Sequence, residues 1–264
     1  MQPIYFAPAV DWDLELRPQF RTDRGEGLHG TYRFVDSAYS RGELTLGYFS
    51  EHASYAEKEN LKNDSHYGYY IMYDRSQLLS EKYNNLEDGL WLDINYLNDI
   101  DYYNTMSFDS KSYDKLATSR LNYYVKQDQN YLGLYAKYYI DTSKISNDTT
   151  LQELPTLHYH HFSSPILVDN LLYSVDYKAN NYTRQEGTTA FQNELNAPLT
   201  FYFSLLDDYV HASVSENIYA THIAYGNDDS TQENAGKYWR NYHQVSLFTE
   251  LAKPYDSFYH TIVS

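Results

Sequence analysis

The chain has no cysteine, which excludes a disulfide framework and thiolate chemistry. It has no apolar run near the 18 or so residues of a spanning helix. Any passage through a bilayer would therefore be made by strands closed into a barrel. Basic residues are scarce. Lys and Arg number 20 against 36 Asp and Glu, for a formal charge of −16. That balance excludes nucleic acid as a partner, because phosphate binding needs a basic face. Gly-rich phosphate loops, a Gly-x-Ser-x-Gly elbow, a His-Glu-x-x-His motif and a calcium-loop pattern are all lacking. Met1-Gln2-Pro3 carries no basic-then-apolar leader, so the chain is either cytosolic or has lost its true N-terminus.

Tyrosine is abundant, with 32 residues against 11 Phe and 3 Trp in a chain of 264. Its apolar ring and wet tip suit strands and membrane interfaces alike. The pattern around it is alternation. From Gly89 to Asn98, Leu90, Leu92, Ile94 and Tyr96 alternate with Trp91, Asp93, Asn95 and Leu97. Successive strand side chains point to opposite faces, so one face is apolar and the other mostly polar. The run exceeds the roughly five or six residues of a common soluble strand and matches the roughly nine to eleven that cross a bilayer.

The same device recurs along the chain. Strands are expected from Val10, interrupted at Pro18, then from Leu28, Glu43, Tyr67 and Gly89. Residues 50–65 read as a long loop, residues 75–88 as a connection with room for a short helix, and residues 99–114 as a loop. A hairpin is expected from Leu116 to Ile140 across Gln127-Asp128-Gln129. After a loop at 141–153, a strand runs from Leu154 to Phe162, with Ser163-Ser164-Pro165 as a tight turn. Strands follow from Leu171, from Thr188 with a break at Pro198, from Tyr209 and from Trp239. A last one starts at Ser257 and stops at Ser264. About a dozen strands with alternating long and short connections favour an all-β, antiparallel transmembrane barrel over a soluble all-β fold.

Three groupings could carry chemistry. His158 and His160, in His158-Tyr159-His160-His161, share a strand face as a metal pair would. No third ligand stands at a diagnostic spacing, and polar positions on a lumen face are the plainer reading. The acidic pairs Asp11/Asp13, Asp99/Asp101, Asp207/Asp208 and Asp228/Asp229 could serve a glycosidase. With so many acids, such pairs also arise by chance. The glycan-acceptor pattern at Asn63, Asn147 and Asn181 is equally common by chance.

The N-terminal stretch is more specific. Pro3, Tyr5, Ala7-Pro8, Asp11, Pro18, Arg24-Gly25, Tyr32-Arg33-Phe34 and Gly42 resemble the start of the barrel in the LPS-assembly protein LptD (organic solvent tolerance) family. The stretch from Asn98 to Asn104, Leu154-Pro155, the stretch from Asn181 to Gly187, and Ala197-Pro198-Leu199 extend the resemblance in order along most of the chain. It implies a non-enzymatic outer-membrane barrel of about 26 strands that places lipopolysaccharide in the outer leaflet. The lipid would arrive over an LptA-like periplasmic bridge and leave through a lateral opening between first and last strands. An LptE-like lipoprotein would plug the lumen. This chain would be the N-terminal half of that barrel, residues 1–264, an incomplete and open barrel. The periplasmic jelly roll and the C-terminal strands would be absent, and with no Cys it cannot share the family's disulfides.

The resemblance also gives the prolines a role. Pro3, Pro8 and Pro18 would weaken the seam of a lateral gate, since each lacks the N–H of a ladder bond. Punctuation of strand ends is the alternative. Alternation predicts Leu90, Leu92, Ile94, Leu132, Leu134, Ala136 and Val175 on the outward, lipid face. Asp93, Asn95, Lys137, Asp176 and Lys178 would face the lumen. No cofactor or metal is implied. A general porin or a secreted polysaccharide-acting enzyme remain as other readings. A continuous apolar outer band with aromatic rims distinguishes the barrel from an enzyme with an apolar interior between two sheets.

Overall fold

The computed structural model describes residues 2–106, 115–207, 209–227, 234–254, 256–257 and 259–263. Strands β1 (Ile4–Phe6), β2 (Trp12–Arg21), β3 (Gly25–Phe34) and β4 (Ser40–Glu51) open the chain. A short helix α1 (Ala53–Lys58) precedes β5 (Ser65–Ser76) and β6 (Glu87–Leu97). A second, α2 (Asp101–Met106), precedes β7 (Leu116–Gln127), β8 (Asn130–Asp141), β9 (Gln152–Ile166) and β10 (Val168–Thr183). Then come β11 (Thr189–Leu205), β12 (Val210–Gly226), β13 (Ala235–Phe248), β14 (Glu250–Pro254) and β15 (Tyr259–Val263).

Strands β1 to β13 form one antiparallel sheet in chain order, each bonded to its sequence neighbours. Among the described residues β1 and β13 do not pair, so the sheet is open, with those two strands as its edges. The expected last strand is instead one arm of a separate hairpin, β14 with β15, and Ser264 lies outside the described residues. Among the described residues, no helix is long and apolar enough to cross a membrane.

From β4 onward the described connections are on the whole longer at one end of the sheet, at 52–64, 142–151 and 184–188, than at the other, at 77–86, 128–129 and 167. The short turn 22–24 also lies at the first end. The expected interruption at Pro18 does not occur. β2 runs through it, with Pro18 opposite Leu28 of β3, while β1 reaches only Leu14 to Leu16. Pro198 likewise sits inside β11 opposite Asn217, where the ladder to β10 lapses between Leu199 and Asn196. In both places the strand passes a proline where a neighbouring ladder is missing, so the lost N–H leaves less unbonded. The turn expected at Ser163-Ser164-Pro165 comes later. β9 continues to Ile166, and Leu167 turns the chain with φ 68°. The loops expected at 50–65 and 99–114 carry α1 and α2, and residues 107–114 lie outside the described residues. The connection at 77–86 holds turns, not a helix.

The buried apolar cluster is small, with Tyr102 of α2 packed against Leu97 of β6 and Ala117 of β7. A mostly polar buried group lies beside it on the same face of β2 to β5: Gln19, His29, Thr31, Thr45, Phe49, Glu51 and His66. Tyr102 of α2 comes within hydrogen-bond reach of the sheet, its hydroxyl donating to the Gly68 carbonyl at 3.2 Å. A Cβ at Gly47 would lie 2.5 Å from that hydroxyl, so glycine is what lets the helix approach. Burial pushes the Tyr102 hydroxyl up to about 12, keeping it a neutral donor.

Asp99 anchors the helix. Its carboxylate accepts from His66 Nδ1 at 2.8 Å and from Asn63 Nδ2 at 2.6 Å. It also accepts from the backbone N–H groups of Asp101 and Tyr102 at 3.0 and 3.3 Å. The other ring nitrogen of His66, Nε2, stands 3.2 Å from Glu51 Oε1, out of line for a hydrogen bond. Glu51 in turn accepts from Arg24 Nε at 2.7 Å. A second tie runs from Gln19 Nε2 to the Thr105 carbonyl at 2.8 Å.

Burial works to raise the Asp99 carboxyl, but the hydrogen bonds from His66 and Asn63 outweigh it and hold the group below its ordinary 3.8. A depressed carboxylate stabilises the fold above its unfolded value and loses that contribution as pH falls through the folded one. The α2 contact should therefore persist at pH 5 and weaken below 3.8. Asp99→Ala leaves His66 Nδ1 buried without its acceptor, at a cost of about 1–3 kcal/mol. Amide exchange over residues 101–106, measured by mass spectrometry, should then accelerate about fivefold to a hundredfold. Exchange unchanged from wild type would show that α2 is held by other contacts.

Candidate functional site

The sheet has two chemically different faces, and register fixes which residues share each. One ladder row joins Leu14, Tyr32, Leu44, Ile71 and Ile94 across five strands. Leu92 opposes Leu121, which opposes Ala136. Tyr123 opposes Leu134, and Val125 opposes Leu132. Leu134 opposes Leu157, which opposes Ala179 on the same strand as Val175. The seven residues expected on a single face thus share one. No element among the described residues covers that face. Leu28 is 49% exposed, Leu46 53%, Leu132 48% and Ile218 49%.

Aromatic rings gather at its two ends across β1 to β6. Toward the short connections, Phe6, Trp12, Tyr32, Phe34 and Tyr73 form a chain with centroids 5.4–6.0 Å apart. Toward the long connections, Tyr69 stacks on Tyr96 at 5.2 Å, and Tyr67 lies 6.5 Å from Tyr96. Leu44, Ile71 and Ile94 lie in the row between Tyr73 and the Tyr69–Tyr96 pair, and Leu46 stands beside Tyr69. The tilted ring pairs are in the favourable range for aromatic contact.

The opposite face is polar and internally paired. Asp93 of β6 opposes Arg120 of β7, which opposes Lys137 of β8. Lys137 Nζ donates to Glu153 Oε2 of β9 at 2.8 Å. Cross-strand neighbours of opposite charge stabilise a sheet, and this row is balanced. Asn95 Nδ2 donates to the Tyr103 hydroxyl at 2.7 Å, tying the same face to α2. Asp176 and Lys178 of β10 oppose His160 and His158 of β9. Asp176 Oδ2 lies 2.7 Å from His158 Nε2 and 2.9 Å from His160 Nδ1. Asp93, Asn95, Lys137, Asp176 and Lys178 share this face in register, and each has a charged or polar neighbour.

The free edge at β1 is thin. Only Ile4, Tyr5 and Phe6 pair with β2. Pro3 stands immediately before the strand, Pro8 lies outside any strand, and Pro18 sits in β2 past the reach of β1.

Among the described residues, the Asp99/Asp101 pair does not converge on one site. Asp99 is taken up by His66, while Asp101 accepts from Asn104. Asp13 is bound by Arg33 at 2.6 Å. Asp208, Asp228 and Asp229 lie outside the described residues. Sequence reading passed over the buried Arg24–Glu51–His66–Asp99 path. Its members stand far apart in the chain, and no local spacing links them. It also passed over Asp176 as the neighbour of the two histidines, since only the β9–β10 register brings it there.

A comparison with curated proteins finds no match. The family model described as LptD, LPS transport system D, matches residues 65–263, from β5 to β15. The match covers the two-faced sheet from its fifth strand onward. The chain belongs to the LptD family of LPS transport system D proteins.

Proposed function

We propose that the chain is part of an outer-membrane translocon that inserts lipopolysaccharide into the outer leaflet through a lateral opening. The family carries lipopolysaccharide transport, not catalysis. The observation that bears most weight is the uncovered apolar face. In water, a contiguous apolar surface of this extent has no stable partner. Against acyl chains it is satisfied, and the aromatic clusters then fall at headgroup depth.

In this reading residues 1–264 supply the N-terminal half of the barrel domain. The apolar face meets lipid in the outer membrane. The polar face, with Asp93, Asn95, Lys137, Asp176 and Lys178, lines the lumen, where α2 already folds inward. That lumen would receive an LptE-like plug lipoprotein. Lipopolysaccharide would arrive from an LptA-like bridge through a periplasmic domain outside this sequence. The β1 edge would be one side of the gate. Its three paired residues, with Pro3, Pro8 and Pro18 around them, offer few ladder bonds to break, each contributing about 0.5–1.5 kcal/mol.

Two outcomes test the reading. Ile94→Arg places a charge on the apolar face in the row between Tyr73 and the Tyr69–Tyr96 pair, at a cost of about 2–4 kcal/mol in a bilayer. It should lower the amount of membrane-inserted protein, whereas Asn95→Arg, at the half-buried neighbouring position on the other face, should lower it less. Equal losses for both would argue that neither face meets lipid. In cells that depend on this protein for export, Pro3→Ala with Pro18→Ala should slow lipopolysaccharide delivery and raise sensitivity to large apolar antibiotics. Protein level should stay normal. Normal delivery at normal level would reduce these prolines to strand-end punctuation.

A further inference from the structure

His158 and His160 alternate with Tyr159 along β9, so both rings stand on the polar face. Asp176 stands across from them on β10, opposite His160. The two ring nitrogens converge on the same carboxylate oxygen, at 2.7 and 2.9 Å. One ligand atom from each of the three residues lies within 4.8 Å of the others. This is the one such group of three among the described residues.

We propose that His158, His160 and Asp176 form a site for a divalent transition-metal ion of the zinc, nickel or copper type. A tetrahedral ion with bonds of about 2.0–2.1 Å separates its ligand atoms by roughly 3.3 Å. The two nitrogen–oxygen spacings, 2.7 and 2.9 Å, are slightly shorter, and all three ligand atoms lie within 4.8 Å of one another, so side-chain adjustment of this order would open the site. Two imidazoles and one carboxylate select zinc, nickel or copper over magnesium or calcium, which take oxygen ligands. Each neutral ring binds through the nitrogen that now faces Asp176 and keeps its proton on the other nitrogen.

The surroundings hold the ligands in place. Phe162 meets the His160 ring edge-on at 4.6 Å, and Tyr131 meets the His158 ring at 5.6 Å. A register shift in the β9–β10 ladder falls between Tyr173 and Val175, directly beside Asp176. Such irregularities re-aim side chains near functional sites. The ligands keep 18–29% of their surface, so an ion from the aqueous side can reach them. Lys178 Nζ lies 3.9 Å from the other oxygen of Asp176. Its positive charge competes with the ion, and its loss should tighten binding. A bound ion would clip β9 to β10 across the polar face. The inference rests on register and not on which face meets lipid, so it can fail or hold independently of the transport reading.

The test is titration of the full protein, held in detergent micelles, with zinc chloride and with magnesium chloride as control, followed by calorimetry. Zinc should bind at one ion per chain and magnesium should not. His160→Ala should weaken zinc binding about tenfold or more, and Lys178→Ala should strengthen it. Copper bound to the unaltered protein should show nitrogen couplings from two imidazoles in its electron paramagnetic resonance spectrum, a reading that needs no variant to fold. Zinc binding unchanged by His160→Ala, weaker binding in Lys178→Ala, or copper without nitrogen couplings would each overturn the proposal.

Discussion

The constraint on which the rest depends is backbone hydrogen bonding beside a surface that none of the described residues covers. Where apolar side chains face outward without a second layer, water cannot be relied on to satisfy the peptide groups beneath them. A long antiparallel ladder satisfies them from strand to strand. The 13-stranded order without crossovers follows from that, and so does strict alternation, since a one-residue slip would exchange the faces. Only the two edges escape the rule. The first, β1, is also the shortest strand of the large sheet, and prolines stand around it.

The polar face answers to a different requirement. Buried polar groups need partners, and here the chain supplies them from its own connection. Helix α2 folds back from the end of β6, and Asp99 joins it to His66, beyond which lie Glu51 and Arg24. A six-residue helix has little stability alone. Its place is set by these hydrogen bonds and by the two glycines, Gly47 and Gly68, that let Tyr102 approach. The side that would be the interior of a barrel is thus ordered by local polar ties, while the apolar side is left for an external partner.

Alternation was legible in the sequence because it is a local property. Leu92 and Asp93 belong to opposite faces in any extended strand. The all-β class was legible for the same reason, whereas the open sheet was expected only from the family resemblance. The helices were not. α1 and α2 have six residues each, too few for a helical period to show. Pro18 and Pro198 look like breaks in the sequence. The strands continue because the adjoining ladder is missing at each, which only pairing reveals. The turn at Leu167 was hidden because Ser163-Ser164-Pro165 carries the stronger turn chemistry, and that turn sets the register bringing Asp176 to His158 and His160. Contacts across many residues, such as His66 with Asp99, leave no spacing to read.

The central claim is that one face of this sheet meets lipid and the other does not. The absence of native cysteine makes a direct measurement clean. Single cysteines placed in turn from Leu90 to Asn95 on β6, labelled with an environment-sensitive fluorophore, can be read in bilayers containing brominated lipids. Quenching should be strong at Leu90, Leu92 and Ile94, weak at Trp91, Asp93 and Asn95, with a period of two. Quenching that is uniform along the strand, or strong at Asp93 and weak at Leu92, would contradict the account.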